Sequence, residues 1–481
     1  MTTTETTAPT ASKYNDLPVK LMIFPAMIFM ILGMTIGVFL SFNTFVFPDY
    51  FSGEYIHFGR LRPVHVGSVA ILWLYSVGVG FFYYFVPRLC GIGLWSPTLA
   101  YWSAGLWWFS LVIGIYSYPW GTNFGWEYAE LPDWVWWIPV KPLFVIAWVL
   151  VGTNIFMTIA TRKYEKMYVT LWYTMGTLIW GTFTYIVGSY AVNWVPEGIS
   201  RVNVSFFYVH NLVGLIFTPM GLAAAYYFLP KLANTPIHSH RLSMIGFWSI
   251  AVVYGWIGAH HIIHGPISQW LQTVSIIFSI WLFIPVWTVV HNLFSTLMVQ
   301  WREYTQSAAV RFIMMGTLFY LITCVQGPLM ALRNVNEITS KTDWIIGHSH
   351  VSLYATFTFF AFAGIYQCVP VIMQKPLWSK RLADWHFSLN MFGSLPFLLA
   401  LWIGGYYQGW LWSQWANGST YAEFHNNLSV LPFVETVADM HFWWVLRAIG
   451  GTIILFGNAL FLINIFNTVM LPARESEEVT V

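Results

Sequence analysis

The sequence is short of charged residues. Only 8% of its 481 residues are Asp, Glu, Lys or Arg, whereas a soluble domain carries about 25%. Hydrophobic residues make up 57% of the chain, so the composition excludes a soluble globular protein. The formal net charge of +2 gives no reason to expect a nucleic-acid partner.

Cysteine is also scarce. Cys90, Cys324 and Cys368 lie in or beside apolar runs without a paired spacing, so we interpret them as small hydrophobic core residues. No Cys-x-x-Cys-His motif occurs, which excludes covalent attachment of a c-type haem to this chain. We find no internal repeat and no linker that would separate domains. We also expect no cleavable signal peptide, because the first apolar run is long enough to span a membrane.

Long apolar runs fill most of the chain. A helix needs roughly 20 apolar residues to cross a bilayer, and about twelve such runs occur. They are residues 20–43, 63–86, 98–119, 140–162, 168–192, 204–229, 243–264, 269–295, 309–333, 343–372, 386–411 and 440–468. The sequence therefore predicts an all-α integral membrane protein in the lipid bilayer, with about 12 transmembrane helices. Its one domain, residues 20–468, lies between polar tails at 1–19 and 469–481.

The distribution of Lys and Arg predicts the orientation of the bundle. If both termini lie on one side, the loops and tails of that side hold fourteen of these residues and the opposite side holds seven. Basic residues concentrate on the cytoplasmic side of membrane proteins. We therefore expect both termini in the cytoplasm.

Six of the fourteen histidines are predicted to lie at one depth, just below the outer surface. They come from four different runs and are His65, His210, His260, His261, His348 and His350. A single histidine in such a place is most simply a hydrogen-bonded core residue, but six at one depth indicate a cofactor site. We expect the remaining histidines, among them His386, to lie in loops or at span ends, apart from His264, beside the His260–His261 pair, and His291 within a run.

The spacing of these histidines indicates what they bind. His260 and His261 are about 100° apart on a helix, so both can reach one ion, and Tyr254 lies two turns before His261 on the same face. His348 and His350 point to opposite sides of their helix, and they could each serve a separate planar cofactor such as haem. His65 could complete one of the two iron centres. A three-imidazole site at His210, His260 and His261 would suit copper, zinc or iron.

Several segments together resemble the catalytic subunit of haem-copper oxygen reductases, most closely the cbb3-type cytochrome c oxidases. The resemblance covers nearly the whole chain. The segments are Gly-Arg60-Leu-Arg62-Pro-Val-His65, Val-His210-Asn-Leu-Val-Gly, Tyr254 through His261, Ile-Gly-His348-Ser-His350 and Leu-Arg447-Ala-Ile-Gly-Gly. The resemblance implies the haem-copper oxidase subunit I fold. It also implies a terminal respiratory oxidase that reduces O2 to water and couples this reaction to proton uptake and pumping.

The resemblance also implies a role for each of the six histidines. His65 and His350 would hold a low-spin haem b, and His348 would be the proximal ligand of a high-spin haem b. His210, His260 and His261 would bind copper. Tyr254 matches the tyrosine that this branch cross-links to the span-six histidine, here His210, and that lends an electron and a proton to the reaction.

Further residues match the family at single positions. Arg62 and Arg447 would bind haem propionates, and Glu127 would bind calcium, although Glu130 could take its place. The proton path would include four residues, which are Tyr226, Ser243, Tyr320 and Gln326. Gln326 departs from the family, because the branch usually has a glutamate there, and an amide cannot carry a proton near neutral pH.

The resemblance implies partners and a location as well. Because the chain has no haem c motif, electrons would arrive from outside through membrane-anchored c-type cytochrome subunits, with a soluble or membrane cytochrome c as the donor. The protein would be a multi-pass protein of the bacterial cytoplasmic (inner) membrane.

Three other functions are alternatives to an oxygen reductase. A nitric oxide reductase of the same superfamily would place non-haem iron at the three-histidine site. It would carry a glutamate one turn after the span-six histidine, where this chain has Gly214, and would lack Tyr254. A b-type cytochrome that only transfers electrons does not explain the adjacent His260 and His261. A transporter does not explain the common depth of the histidines.

Overall fold

Long helices make up most of the chain in a computed structural model, which describes residues 14–48, 50–122, 131–298, 306–416 and 433–472. Eleven helices of this described part are long and apolar enough to cross a membrane. These eleven are α1 (Leu17–Val46), α2 (Phe58–Cys90), α3 (Pro97–Trp120), α4 (Val140–Ala160), α6 (Ile199–Leu232), α7 (His240–Ile262), α8 (Gln269–Met298), α9 (Ala308–Met330), α10 (Asp343–Met373), α11 (Lys380–Ala416) and α12 (Phe433–Met470). One further helix, α5 (Val169–Ser189), lies between α4 and α6 in the chain.

The helix α5 coincides with the fifth predicted span but is not one of the eleven. It is 21 residues long and contains many threonines, which make it less apolar. Thr174, Thr177 and Thr182 each donate a hydroxyl hydrogen bond to a carbonyl of the helix itself, which satisfies these polar groups without water. The number of twelve spans, like the cytoplasmic position of the termini, stays a prediction. Most of both polar tails lies outside the described residues.

Three of the four helices that carry the predicted haem and copper ligands lie at the centre of the bundle. In α2 and α6, 94% of the residues in the most apolar 18-residue stretch of the helix are buried. The share is 78% in α10 and 33–50% in the other eight of these helices. These three helices provide His65, His210, His348 and His350. The histidines are therefore enclosed by protein, and the outer helices separate them from lipid.

Each of these three central helices changes to π-helical geometry close to its histidine. The π-helical segments are Gly67–Tyr75 in α2, Leu212–Phe217 in α6 and Val351–Thr358 in α10. A π turn inserts an extra residue into the helix and is frequent at functional sites. The residues after each histidine therefore face directions that an ideal α-helix would not predict.

His386 does not lie at a span end, and that prediction is wrong. The helix α11 begins at Lys380, six residues before the predicted apolar run, so His386 lies inside the bundle and is 0% exposed. Its Nδ1 is 2.9 Å from the Tyr366 hydroxyl and its Nε2 is 3.0 Å from Oδ1 of Asn458. The predicted run began too late, because the first residues of α11 are partly polar and do not extend the apolar run.

Close approach between α11 and the start of α10 depends on Gly405. A Cβ added there would lie 2.0 Å from the backbone nitrogen of Trp344, whereas a Cβ at Gly105 would meet nothing within 4 Å. We expect Gly405→Ala to destabilise the protein by about 1–3 kcal/mol, because backbone atoms cannot move aside cheaply. Gly105→Ala is the matched control and should be neutral or slightly stabilising. Thermal unfolding of both variants tests this, and equal melting temperatures would contradict it.

Candidate metal and haem centre

His65 and His350 face each other across a gap between α2 and α10. Their ring centroids are 6.4 Å apart and their planes differ by 19°. Two imidazoles on opposite sides of one metal, each with a nitrogen about 2 Å from it, have centroids roughly 6 Å apart. The spacing of this pair therefore fits a shared iron.

Hydrogen bonds orient both of these rings. Nδ1 of His65 donates to the carbonyl of Gly33 in α1 at 2.7 Å, and Nδ1 of His350 donates to the carbonyl of Ile346 at 2.7 Å. A proton on Nδ1 leaves the lone pair on Nε2, which is the nitrogen that can bind a metal. The pair thus has the donor set that a haem with two axial histidines requires.

The second centre consists of His210, His260 and His261. One nitrogen of each lies within 4.8 Å of the others, and this trio is the group of His, Cys, Asp or Glu in the described chain that could hold a metal ion. Nδ1 of His210 faces Nε2 of His261 at 3.2 Å. Nε2 of His210 is buried without a hydrogen-bond partner among the described residues. Three imidazoles suit copper, zinc or iron.

The serine Ser279 determines which nitrogen of His260 is available. Its hydroxyl donates to the carbonyl of Ser275 at 2.6 Å, so its oxygen accepts from Nδ1 of His260 at 2.8 Å. The lone pair of His260 is then on Nε2. Such outer partners orient metal ligands and raise their affinity.

The local geometry predicted for Tyr254, His260 and His261 is wrong. The α-helical part of α7 ends at Val253, and both Tyr254–Trp256 and Gly258–Ile262 are 3₁₀ turns. Gly258 lies against α6, where a Cβ would be 2.9 Å from the Cα of Phe207. The predicted 100° spacing and the shared face with His261 therefore do not apply.

The ring of Tyr254 instead lies beside His210. The two ring centroids are 4.8 Å apart with planes at 26°. The same ring fills the space next to Gly214, where an added Cβ would lie 1.5 Å from Cε1 of Tyr254 and 2.0 Å from its Cζ. A side chain at position 214 and the ring of Tyr254 therefore exclude each other.

His348 and His350 face different neighbours. Nδ1 of His348 lies 3.3 Å from Oε1 of Gln326 in α9, while His350 faces His65. Because the amide oxygen can only accept, Nδ1 carries the proton and Nε2 of His348 is free to bind a metal. Gln326 therefore orients this imidazole.

The residues predicted to bind haem propionates and calcium differ in how far the structure describes them. Arg447 is buried, and its Nη1 lies 3.4 Å from Oδ2 of Asp343, while Arg62 is half-buried one turn before His65. Glu127 and Glu130 lie outside the described residues, so calcium binding stays a prediction.

The predicted proton-path residues are buried as well. Tyr226 is 0% and Tyr320 is 4% exposed. Ser243 is also buried, and its hydroxyl donates to the carbonyl of His240 in its own helix at 2.7 Å. Their role in proton transfer stays a prediction.

Sequence reasoning missed Asp343 and Ser279. Asp343 lies in the first turn of α10, seven residues before His350. The sequence could have indicated it, because residues seven apart lie on the same face of a helix. Ser279 lies in α8 and gave no signal, because its contact with His260 depends on how α7 and α8 pack.

These features define a multi-pass integral membrane protein with two facing histidines and a separate group of three histidines that could hold a metal ion. Residues 18–453 match the model of the family described as cytochrome c and quinol oxidase polypeptide I. The chain belongs to this family, in which haem and copper are the implied cofactors. The resemblance to the haem-copper oxidases is thereby confirmed.

Individual proteins agree with this membership. The chain is 31% identical to "Cytochrome c oxidase subunit 1 homolog" of Azorhizobium caulinodans, over 95% of this chain and 82% of that protein. It is 29% identical to "Cbb3-type cytochrome c oxidase subunit CcoN1" of Stutzerimonas stutzeri, over 96% of both chains. A solved heme-copper terminal oxidase dimer has the same fold, with a TM-score of 0.75 and 16% identity over 95% of this chain and 84% of that one.

A protein of another activity matches too. The chain is 24% identical to a nitric oxide reductase polypeptide of Stutzerimonas stutzeri, over 89% of each chain. Family membership by itself therefore does not distinguish the two reactions.

The hydrogen bond from His260 to Ser279 predicts a defect in metal binding. We expect Ser279→Ala to weaken metal affinity at the three-histidine centre about 10- to 100-fold, because His260 loses the partner that orients it. Ser275→Ala is the matched control, since its hydroxyl donates to the carbonyl of Gln272 in its own helix. Metal content after dialysis against graded chelator measures the difference. Equal retention in both variants would contradict the role of Ser279.

Proposed function

We propose that this chain is the oxygen-reducing catalytic subunit of a cbb3-type cytochrome c oxidase. His65 and His350 bind a low-spin haem b, and His348 binds a high-spin haem b. His210, His260 and His261 bind copper. When bound, these groups supply the redox chemistry that reduces dioxygen to water.

The position of Tyr254 is the observation that carries this proposal. Its ring lies against His210 and over Gly214, so its phenol is next to one of the proposed copper ligands. Complete reduction of dioxygen takes four electrons, and a phenol at this place can lend one electron and one proton. A covalent link between Tyr254 and His210 is part of the proposal.

The donor set supports copper at this centre. The group contains three imidazoles and no carboxylate among the described residues, whereas non-haem iron sites commonly add a carboxylate to their histidines. A glutamate at position 214 would provide one. The ring of Tyr254 occupies that space.

The proton and electron routes follow from the same proposal. Electrons reach the low-spin haem from cytochrome c through membrane-anchored c-type cytochrome subunits, on the outer side of a bacterial cytoplasmic membrane. Protons for water, and those pumped, move from the cytoplasm past Tyr226, Ser243 and Tyr320.

The remaining residues hold the cofactors in place. Gln326 orients His348 and carries no proton. Arg62 and Arg447 bind the haem propionates, and Glu127 binds calcium.

Nitric oxide reduction is the second candidate. It is favoured by the nitric oxide reductase relative and by Gln326, which departs from the oxidase pattern. Turnover of the purified complex with reduced cytochrome c distinguishes the two. We expect rapid oxygen consumption and slow nitric oxide consumption, and the reverse order would refute the oxidase.

The contact between Gly214 and Tyr254 generates a further prediction. Gly214→Ala should lower oxygen consumption on the order of 10²-fold, because a displaced catalytic group of this kind loses about that much. Gly255→Ala is the control, since a Cβ there would meet nothing within 4 Å, and it should retain most activity. Oxygen uptake per haem is the measurement. Full activity in Gly214→Ala would show that the position of Tyr254 is not required.

A further inference from the structure

A buried acid, Asp343, begins α10, the helix that carries the proposed haem ligands His348 and His350. Asp343 is 7% exposed and directly follows Thr342, whose side chain accepts a hydrogen bond from the backbone of Trp344 at 3.3 Å. An acid in the first turn is favourable to the helix dipole. Ionisable residues within membrane spans are nonetheless rare and commonly functional.

Two donors from α12 hold the carboxylate of Asp343, and α11 binds its backbone. Its Oδ2 accepts from Nε1 of Trp444 at 2.9 Å and lies 3.4 Å from Nη1 of Arg447, both in α12. Its backbone nitrogen donates to Oε1 of Gln408 in α11 at 2.8 Å. The guanidinium of Arg447 lies 4.3 Å from the centre of the Phe45 ring. Asp343 and Arg447 are thus fixed relative to each other.

Stability alone does not explain this ion pair. The two side chains are 10% and 8% exposed, and the desolvation of two charges can exceed their mutual attraction. Replacement of a buried pair by apolar residues is often neutral or stabilising. A buried pair of this kind beside a cofactor site suggests an electrostatic role.

Helix geometry relates the pair to the low-spin haem site. Asp343–His350 is continuous α-helix, so residues seven apart share a face and lie about 10 Å apart along the axis. The carboxylate is therefore two turns from His350 and on its side of α10. His348 is five residues from Asp343 and faces away from it.

We propose that Asp343 sets the reduction potential of the low-spin haem by holding Arg447 and compensating its charge. This inference rests on the proposed function, because it assumes a haem between His65 and His350. A cation near a haem stabilises the reduced form, which carries one more negative charge, and a fixed carboxylate cancels part of that effect. Asp343 is thus a positioning residue that adjusts the driving force for electron entry.

The test is a redox titration of Asp343→Asn, followed by the spectra of the two b haems. Asparagine keeps the size of the side chain and an oxygen that accepts from Trp444, but it lacks the charge. We expect a more positive midpoint potential for the low-spin haem at unchanged haem content, and a smaller shift for the high-spin haem. Trp444→Phe, which removes the hydrogen bond and no charge, should shift the potential less, and Asp343→Glu should stay near the wild type.

The outcomes separate this inference from the proposed function. A wild-type complex without a low-spin b haem would refute the haem assignment itself. A wild-type signal with an unchanged potential in Asp343→Asn would overturn the role of Asp343 alone. The midpoint potential does not depend on yield, so a partly assembled variant can be measured in membranes. If Asp343→Asn does not assemble, Arg447→Gln must shift the potential to more negative values, and no shift there would overturn the proposal.

Discussion

The proposed function depends on hydrogen bonds that fix which imidazole nitrogen can bind a metal. Nδ1 of His65, His350, His260 and His348 faces, in this order, the carbonyls of Gly33 and Ile346, the hydroxyl of Ser279 and the amide oxygen of Gln326. Each partner leaves the lone pair on Nε2. Inside an apolar bundle these bonds also satisfy polar groups that would be costly if unpaired. The same contacts thus stabilise the bundle and prepare its centre.

Irregular helix geometry brings these imidazoles together. The central helices α2, α6 and α10 contain π-helical segments next to their histidines, and α7 becomes 3₁₀-helical before His260 and His261. Such segments have weaker hydrogen bonding than a regular α-helix, so packing against neighbouring helices must hold them. The enclosed position of α2, α6 and α10 provides this packing. Function here rests on departures from ideal helices.

The positions of the helices could be predicted from the sequence because apolar runs are a local signal, whereas the roles of the six histidines as ligands stay predictions. Apolar runs of bilayer length placed the cores of eleven helices, and the common depth of six histidines indicated the centre. The π and 3₁₀ segments were not predictable, because hydrophobic periodicity averages over several turns. The pairing of Tyr254 with His210 was available only from the family resemblance, because His210 is distant in the chain and the contact depends on the absence of a side chain at Gly214. The burial of Asp343 and His386 could not be predicted either, because each lies within the first two turns of a helix whose opening residues are partly polar.

The proposed function requires that copper, held by His210, His260 and His261, faces a haem. The copper and iron contents of the purified complex, together with its b-type and c-type haems, show whether it does. We expect one copper for every two b-type haems and no iron beyond that of the haems. A complex with one additional non-haem iron and no copper would contradict it and would indicate nitric oxide reduction, with Tyr254 serving only in packing.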